Sequence, residues 1–205
     1  MSFFQNTCKP VGFVGELMVD MMNAGHTFVS TWGLSHLHLS DDAICLDIGC
    51  GGGANVKRLL ERSPYGTVTG IDYSEVSVKK SEKLNRAEID VNRCQILREN
   101  VMELPFADGT FDCATAFETI YFWPDLAQAF AQVFRVLKPS GTFLLCNEMN
   151  GENAGDDIWT DKIQGMRLYT AAQLKPLLQM AGFTDFQIDK NKKGWLCIVC
   201  QKPIA

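Results

Sequence analysis

The sequence predicts an α/β fold: a doubly wound, seven-stranded sheet, mostly parallel, ending in an antiparallel hairpin and preceded by a helical extension. Two observations predict it. From about Ala43, short apolar runs alternate with amphipathic stretches, as in parallel strands joined by crossover helices. The last two apolar runs are separated only by Asn191-Lys192-Lys193-Gly194, too short a link for a parallel crossover. No repeat or linker divides the 205 residues, so one domain over 1–205 is expected, with 1–40 as an N-terminal helical extension or cap and 41–205 as the core.

Each element has its own local cause. Ala43 to Ile48 reads as a buried strand, followed by a glycine cluster and a helix with Val56, Leu59 and Leu60 on one face; Ser63-Pro64-Tyr65-Gly66 stops that helix. Thr67 to Ile71 is a β-branched strand ending at Asp72, and Ser74 can cap a polar helix running to about Ile89. Cys94 to Leu97 and Phe111 to Phe117 are further strands. Pro124 suits the first turn of a helix bearing Leu126, Phe130, Val133 and Leu137, which Lys138-Pro139-Ser140-Gly141 breaks before a strand at Thr142 to Cys146. Thr170 with Gln173 forms a capping-box pattern ahead of a helix that Pro176 could kink and Gly182 ends. The closing strands lie around Phe186 to Ile188 and Trp195 to Cys200.

Composition narrows the function classes. Nineteen basic against twenty-four acidic side chains give a formal charge of -5, and no basic patch marks a nucleic-acid partner. The early apolar stretch has one preceding cation, Lys9, and is interrupted by Glu16 and Asp20, unlike a signal peptide or membrane helix; a cytoplasmic protein with no membrane partner is expected. Of eight cysteines, Cys45, Cys113, Cys146, Cys197 and Cys200 lie in strand-like apolar runs, where reduced thiols serve as small hydrophobes.

The strongest chemical signal is Leu46-Asp47-Ile48-Gly49-Cys50-Gly51-Gly52-Gly53-Ala54, a strand running into glycines that open a helix. Glycines let backbone approach a ligand closely, and a helix start offers free amides to a negative group. Asp72 closes the next strand, where a carboxylate can accept hydrogen bonds from both hydroxyls of a ribose. The two features describe a nucleoside-shaped cleft. The glycine pattern also fits GxGxxA of dinucleotide-binding enzymes, so it does not choose between cofactors.

Further on, Asn100-Val101-Met102-Glu103-Leu104-Pro105-Phe106, Phe111-Asp112 and Arg135-Val136-Leu137-Lys138-Pro139-Ser140-Gly141-Thr142 follow in order. With the glycine motif, these segments resemble the class I S-adenosylmethionine-dependent methyltransferases, of Rossmann-like fold, from about Ala43 to the C-terminus; the resemblance is closest to the ubiquinone/menaquinone-biosynthesis type. It implies S-adenosylmethionine as methyl donor, with S-adenosylhomocysteine as product, and a small-molecule acceptor. The implied cofactor set is Asp47, Gly49, Cys50, Gly51, Asp72, Tyr73, Asn100, Val101, Phe117 and Glu118. Within it, Asp47 orders the amino group, Asp72 holds the ribose, and Asn100, where many relatives have Asp, reaches adenine through its carbonyl.

Methyl transfer from a sulfonium is an in-line displacement in which alignment matters most, so a base is optional. Glu118, Tyr121 and His26 are the catalytic candidates. Substrate contacts are expected from Met18, Met22, His26, Tyr121, Phe122, Trp123 and Trp159: aromatics after the fourth strand, an adaptable N-terminal set that includes Phe13, Leu17, Met21 and Trp32, and an irregular rim from Asn147 to Arg167. The alternatives are core packing for Phe122 and a helix covering the sheet edge for the N-terminal set. No metal site is expected, because His36-Leu37-His38 lacks further ligands and Cys197-Ile198-Val199-Cys200 would point its thiols to opposite faces of a strand. A monomer or homodimer fits equally well. Rival readings are an NAD(P)-dependent oxidoreductase and a non-catalytic cofactor-binding module with a protein partner.

Overall fold

A computed structural model describes residues 10–204. The N-terminal segment contributes α1 (Gly12–Gly25) and α2 (Thr27–Leu34); β1 (Ile44–Ile48), α3 (Ala54–Arg62), β2 (Thr67–Asp72), α4 (Glu75–Leu84), α5 (Arg86–Asp90) and β3 (Cys94–Arg98) follow. Next come β4 (Phe111–Phe117), a 3-10 turn at Ile120–Phe122, α6 (Leu126–Val136), β5 (Leu137–Asn147), α7 (Asp157–Lys162), α8 (Ala171–Met180), β6 (Thr184–Lys190) and β7 (Leu196–Gln201). The sheet order is β3-β2-β1-β4-β5-β7-β6, parallel from β3 to β5, with β7 antiparallel to both its neighbours. The seven-stranded expectation holds.

Side-chain alternation divides the core into two faces. On β4 and β5, Ala114, Ala116, Phe143 and Leu145 pack with Phe130 of α6 and Leu174 of α8. Cys113, Phe117, Leu144 and Cys146 face the other way, toward Val29 of α2 and Val56 and Leu59 of α3. The described cysteines, Cys45, Cys50, Cys94, Cys113, Cys146, Cys197 and Cys200, are free and buried, whereas Cys8 and Lys9 lie outside the described residues. No described helix is long and apolar enough to cross a membrane.

Several local expectations shift. The polar helix after Ser74 breaks at Asn85, whose amide donates to the carbonyl oxygens of Gly53 (3.2 Å) and Ser81 (2.9 Å) and so ties the helix end to the glycine loop. Pro124 precedes the cap instead of entering the first turn: Asp125 caps α6 by accepting from Gln128 N at 3.1 Å. The fifth strand starts earlier than expected, because Leu137 already pairs with Phe111 across an irregularity. Helix α8 runs through Pro176 behind its Thr170–Gln173 capping box. His36 bonds Asp189 at 3.0 Å and thereby links the segment after α2 to β6.

Candidate active site

The order of the strands opens the site. Between β1 and β4 the connections leave in opposite directions, and a crevice forms at the carboxyl ends there without help from any side chain. A cleft of about 410 Å³ occupies it. Its first wall comes from Gly49, Cys50, Gly51, Asp72, Tyr73, Asn100 and Val101; Phe117, Glu118, Phe122 and Trp123 form the wall at and after the end of β4, and Met22 and His26 belong to the roof.

Asp72 organises the first wall. It is 8% exposed, and its two carboxylate oxygens accept from Ser74 N (2.8 Å) and Gly51 N (3.0 Å), leaving each oxygen a further lone pair. Burial pushes its carboxyl above the usual range, although these amide bonds oppose that shift. Most of the loop's own amides are turned inward, whereas Gly52 N and the first amides of α3 find no acceptor among the described residues. Gly49 N and Cys50 N both donate to Ile71 O, at 2.8 and 2.9 Å, Gly51 N is held by Asp72, and Gly53 N donates to Cys50 O at 2.9 Å. What the loop offers is room: Gly51 has φ +52, and a Cβ there would meet nothing within 4 Å.

Asp47 lies beneath this loop and is absent from the cleft wall. Its Oδ1 accepts from Thr115 Oγ1 at 2.7 Å, while its buried Oδ2 has no partner. Burial pushes its carboxyl up to about 7. A carboxyl raised on folding holds its proton more tightly in the native state, so its contribution favours folding at low pH and is lost as pH climbs from about 4 through 7. Asp47→Asn should therefore flatten the fall in stability across that window, as read from urea midpoints at successive pH values. An unchanged slope would count against this assignment. Asn100 lines the cleft, but its carbonyl oxygen already accepts from Met102 N at 3.0 Å, so only its second lone pair faces outward bonding.

The second wall departs more from expectation. Glu118 follows β4 with φ +56, its N–H bound to Cys146 O at 3.0 Å, and its carboxylate accepts from Glu148 N and from Tyr121 Oη at 3.4 Å. Burial and the neighbouring Glu148 carboxylate push Glu118 up to about 8. Tyr121 does not reach the cleft: it is 2% exposed, packs with Ile163 and Met166, and accepts from Met149 N at 3.0 Å. Its hydroxyl holds the Glu118 carboxylate from behind the cleft wall. Phe122 and Trp123 do line the cleft, with Trp123 Nε1 donating to Thr119 Oγ1 at 3.2 Å.

Helix α1 roofs the cleft with Met22, Asn23 and His26, and α2 adds Ser30. The roof sits directly on the glycine loop, since a Cβ at Gly52 would fall 2.2 Å from Asn23 Nδ2 and 2.8 Å from Val19 Cγ1. Ser74 Oγ fixes its start by donating to Pro10 O at 2.9 Å. Met18 is buried but does not line the cleft: it shares a helical face with Met22 and lies one turn short of the cleft. Trp159, on α7, is also away from the wall, and nothing is described of the Phe13 side chain. Thr119, expected beside Glu118 after the fourth strand, lines the wall; sequence reasoning missed Asn23, Arg58 and Glu99 on it and did not single out Glu148 behind it. The available signal for Glu148 was that two neighbouring strands are each closely followed by a glutamate.

Residues 46–145 match the family model described as "Methyltransferase domain". Residues 46–145 form a methyltransferase domain. The chain is 38% identical over 109 residues to squalene methyltransferase 1 of Botryococcus braunii, covering 53% of this chain and 29% of that protein. It is 35% identical over 116 residues to demethylmenaquinone methyltransferase of Lactiplantibacillus plantarum, covering 56% and 48%. The chain thus spans half or less of the length of these curated relatives. A solved SAM-dependent methyltransferase from Aquifex aeolicus shares the fold, with TM-score 0.76, 15% identity and coverage of 91% of this chain and 98% of that one. The matched region begins within β1 and runs through β4 into most of β5; the roof helices lie before it and the terminal hairpin after it.

Proposed function

We propose that this chain transfers a methyl group from S-adenosylmethionine to a small-molecule acceptor. One observation carries the reading: at the strand tips the two-amide Asp72 stands beside an open Gly51, with room for a nucleoside against the chain. The residues fit the group, since Asp72 keeps lone pairs for ribose hydroxyls, Gly51 leaves space against the chain, and Asp47 has a buried, unpartnered oxygen below. When bound, S-adenosylmethionine supplies an activated methyl carbon.

The chain's own residues would do the rest. Asp72, Tyr73, Asn100 and Val101 hold the nucleoside end, and Gly49, Gly51, Phe117 and Glu118 border the amino-acid end. Phe122, Trp123, Met22 and His26 shape the acceptor side and exclude water. Orientation of this kind can supply on the order of 7 to 11 kcal/mol. The names of the relatives, a squalene and a demethylmenaquinone methyltransferase, support an organic acceptor, and the cytosol remains our proposed compartment.

Calorimetric titration with S-adenosylhomocysteine and, separately, with NADH tests this. Binding of the thioether nucleoside without NADH is expected; NADH binding without it would overturn the reading. Binding without methyl release across a broad acceptor panel would instead favour the non-catalytic module.

A further inference from the structure

The sequence gives no hint that His26, Glu118 and Glu148 meet, because they lie 92 and 30 residues apart in successive steps. The fold brings them together from three elements: the joint between α1 and α2, the end of β4 and the end of β5. One ligating atom from each lies within 4.8 Å of the other two. Register explains the carboxylate pair, because Phe117 pairs with Cys146 and both glutamates emerge just beyond that rung.

Two carboxylates turned toward each other in a half-buried setting repel unless something cationic or a proton lies between them. Lys193 acts on Glu148 from a distance, and no described ion pair joins Glu118 or Glu148 to a lysine or arginine. The third member is an imidazole, a group that adds nothing to a proton-sharing carboxylate pair but completes a nitrogen–oxygen ligand set. Among the described residues no hydrogen bond to the His26 ring is seen, and its ligating nitrogen lies within 4.8 Å of both carboxylates. Glu118 is already oriented by Tyr121 Oη and Glu148 N, as outer partners orient a ligating carboxylate.

We propose that His26, Glu118 and Glu148 bind one divalent first-row transition cation where the acceptor side of the cleft, at His26, meets Glu118. One nitrogen and two carboxylate oxygens suit manganese, iron or zinc better than a soft ion, and three protein ligands leave positions open. An open position beside the methyl-transfer site would take an acceptor bearing an oxygen donor and favour its deprotonated form. That last step rests on the methyl-transfer reading; the cation site does not.

The intact chain is titrated with Mn2+ alone, following the free ion by electron paramagnetic resonance. One bound ion per chain is expected. His26→Ala and Glu148→Gln should each weaken it by at least about tenfold, and Tyr121→Phe by a smaller factor through Glu118. Asp157→Asn with Asp161→Asn, which remove exposed acids on α7, should leave the affinity unchanged. Circular dichroism establishes which variants fold, and either His26→Ala or Glu148→Gln is enough to decide. No Mn2+ binding, or binding that survives in the folded variants, would overturn the proposal. S-adenosylhomocysteine affinity, measured on the same samples without metal, reports on the methyl-transfer reading independently, so either can fail alone.

Discussion

Asp72→Ala is expected to weaken S-adenosylhomocysteine binding by roughly tenfold to a hundredfold, the largest loss for any single side chain on the donor wall. Hydrogen bonds to an ionised acceptor contribute about 1.5–3 kcal/mol, and about 1.4 kcal/mol is a factor of ten. The loss extends beyond the ligand, because the same carboxylate accepts Gly51 N and Ser74 N. Removing it frees both the glycine loop and the turn into α4. Asp72→Asn separates the two effects: its single carbonyl oxygen can serve one of these amides but not both. Calorimetry on Asp72→Ala and Asp72→Asn checks this, with an affinity equal to that of the unaltered chain in folded Asp72→Ala placing the ribose elsewhere.

Gly49 and Gly51 should respond to alanine in opposite ways. Both have positive φ, +73 and +52, so each substitution costs roughly 1 kcal/mol or more of backbone strain. At Gly49 the new Cβ would stand 2.3 Å from Thr119 Oγ1 and 2.8 Å from its Cβ, a clash in packed surroundings worth about a further 1–3 kcal/mol. Gly49→Ala should therefore lower the melting temperature by roughly 5 to 15 °C. At Gly51 the Cβ enters empty cleft, so Gly51→Ala should melt within a few degrees of the unaltered chain yet bind S-adenosylhomocysteine poorly. Thermal melts with and without ligand read both effects. Equal melting losses for the two variants would contradict the geometry.

The fold was legible because its signals are periodic: apolar runs set the strands, and the short Asn191–Gly194 link required the antiparallel β6–β7 pairing. Gly49, Gly51, Asp72, Asn100 and Val101 were traceable to the cleft because strand ends converge at a topological switch. Side-chain direction was not. Tyr121 sits in the same aromatic run as Phe122 and Trp123, and only the 3-10 turn sends its ring inward. Met18 and Met22 are one turn apart, and the tilt of α1 over the loop, which no periodicity encodes, decides which one faces the cleft. Glu118 adopts a left-handed backbone uncommon outside glycine, and its meeting with Glu148 depends on β4–β5 register. Asp125, not Pro124, starts α6 because a carboxylate satisfies an otherwise unpaired amide and a proline ring does not.

The close seating of Asn23 and Val19 above Gly52 ties the evolutionary histories of two distant stretches of chain. Any branch of descent that placed a larger residue at 52 would need a smaller or displaced partner at 19 or 23, so substitutions at these positions should arrive together. Helix α1 is thus free to diverge along most of its length, but not where it rests on the glycine loop.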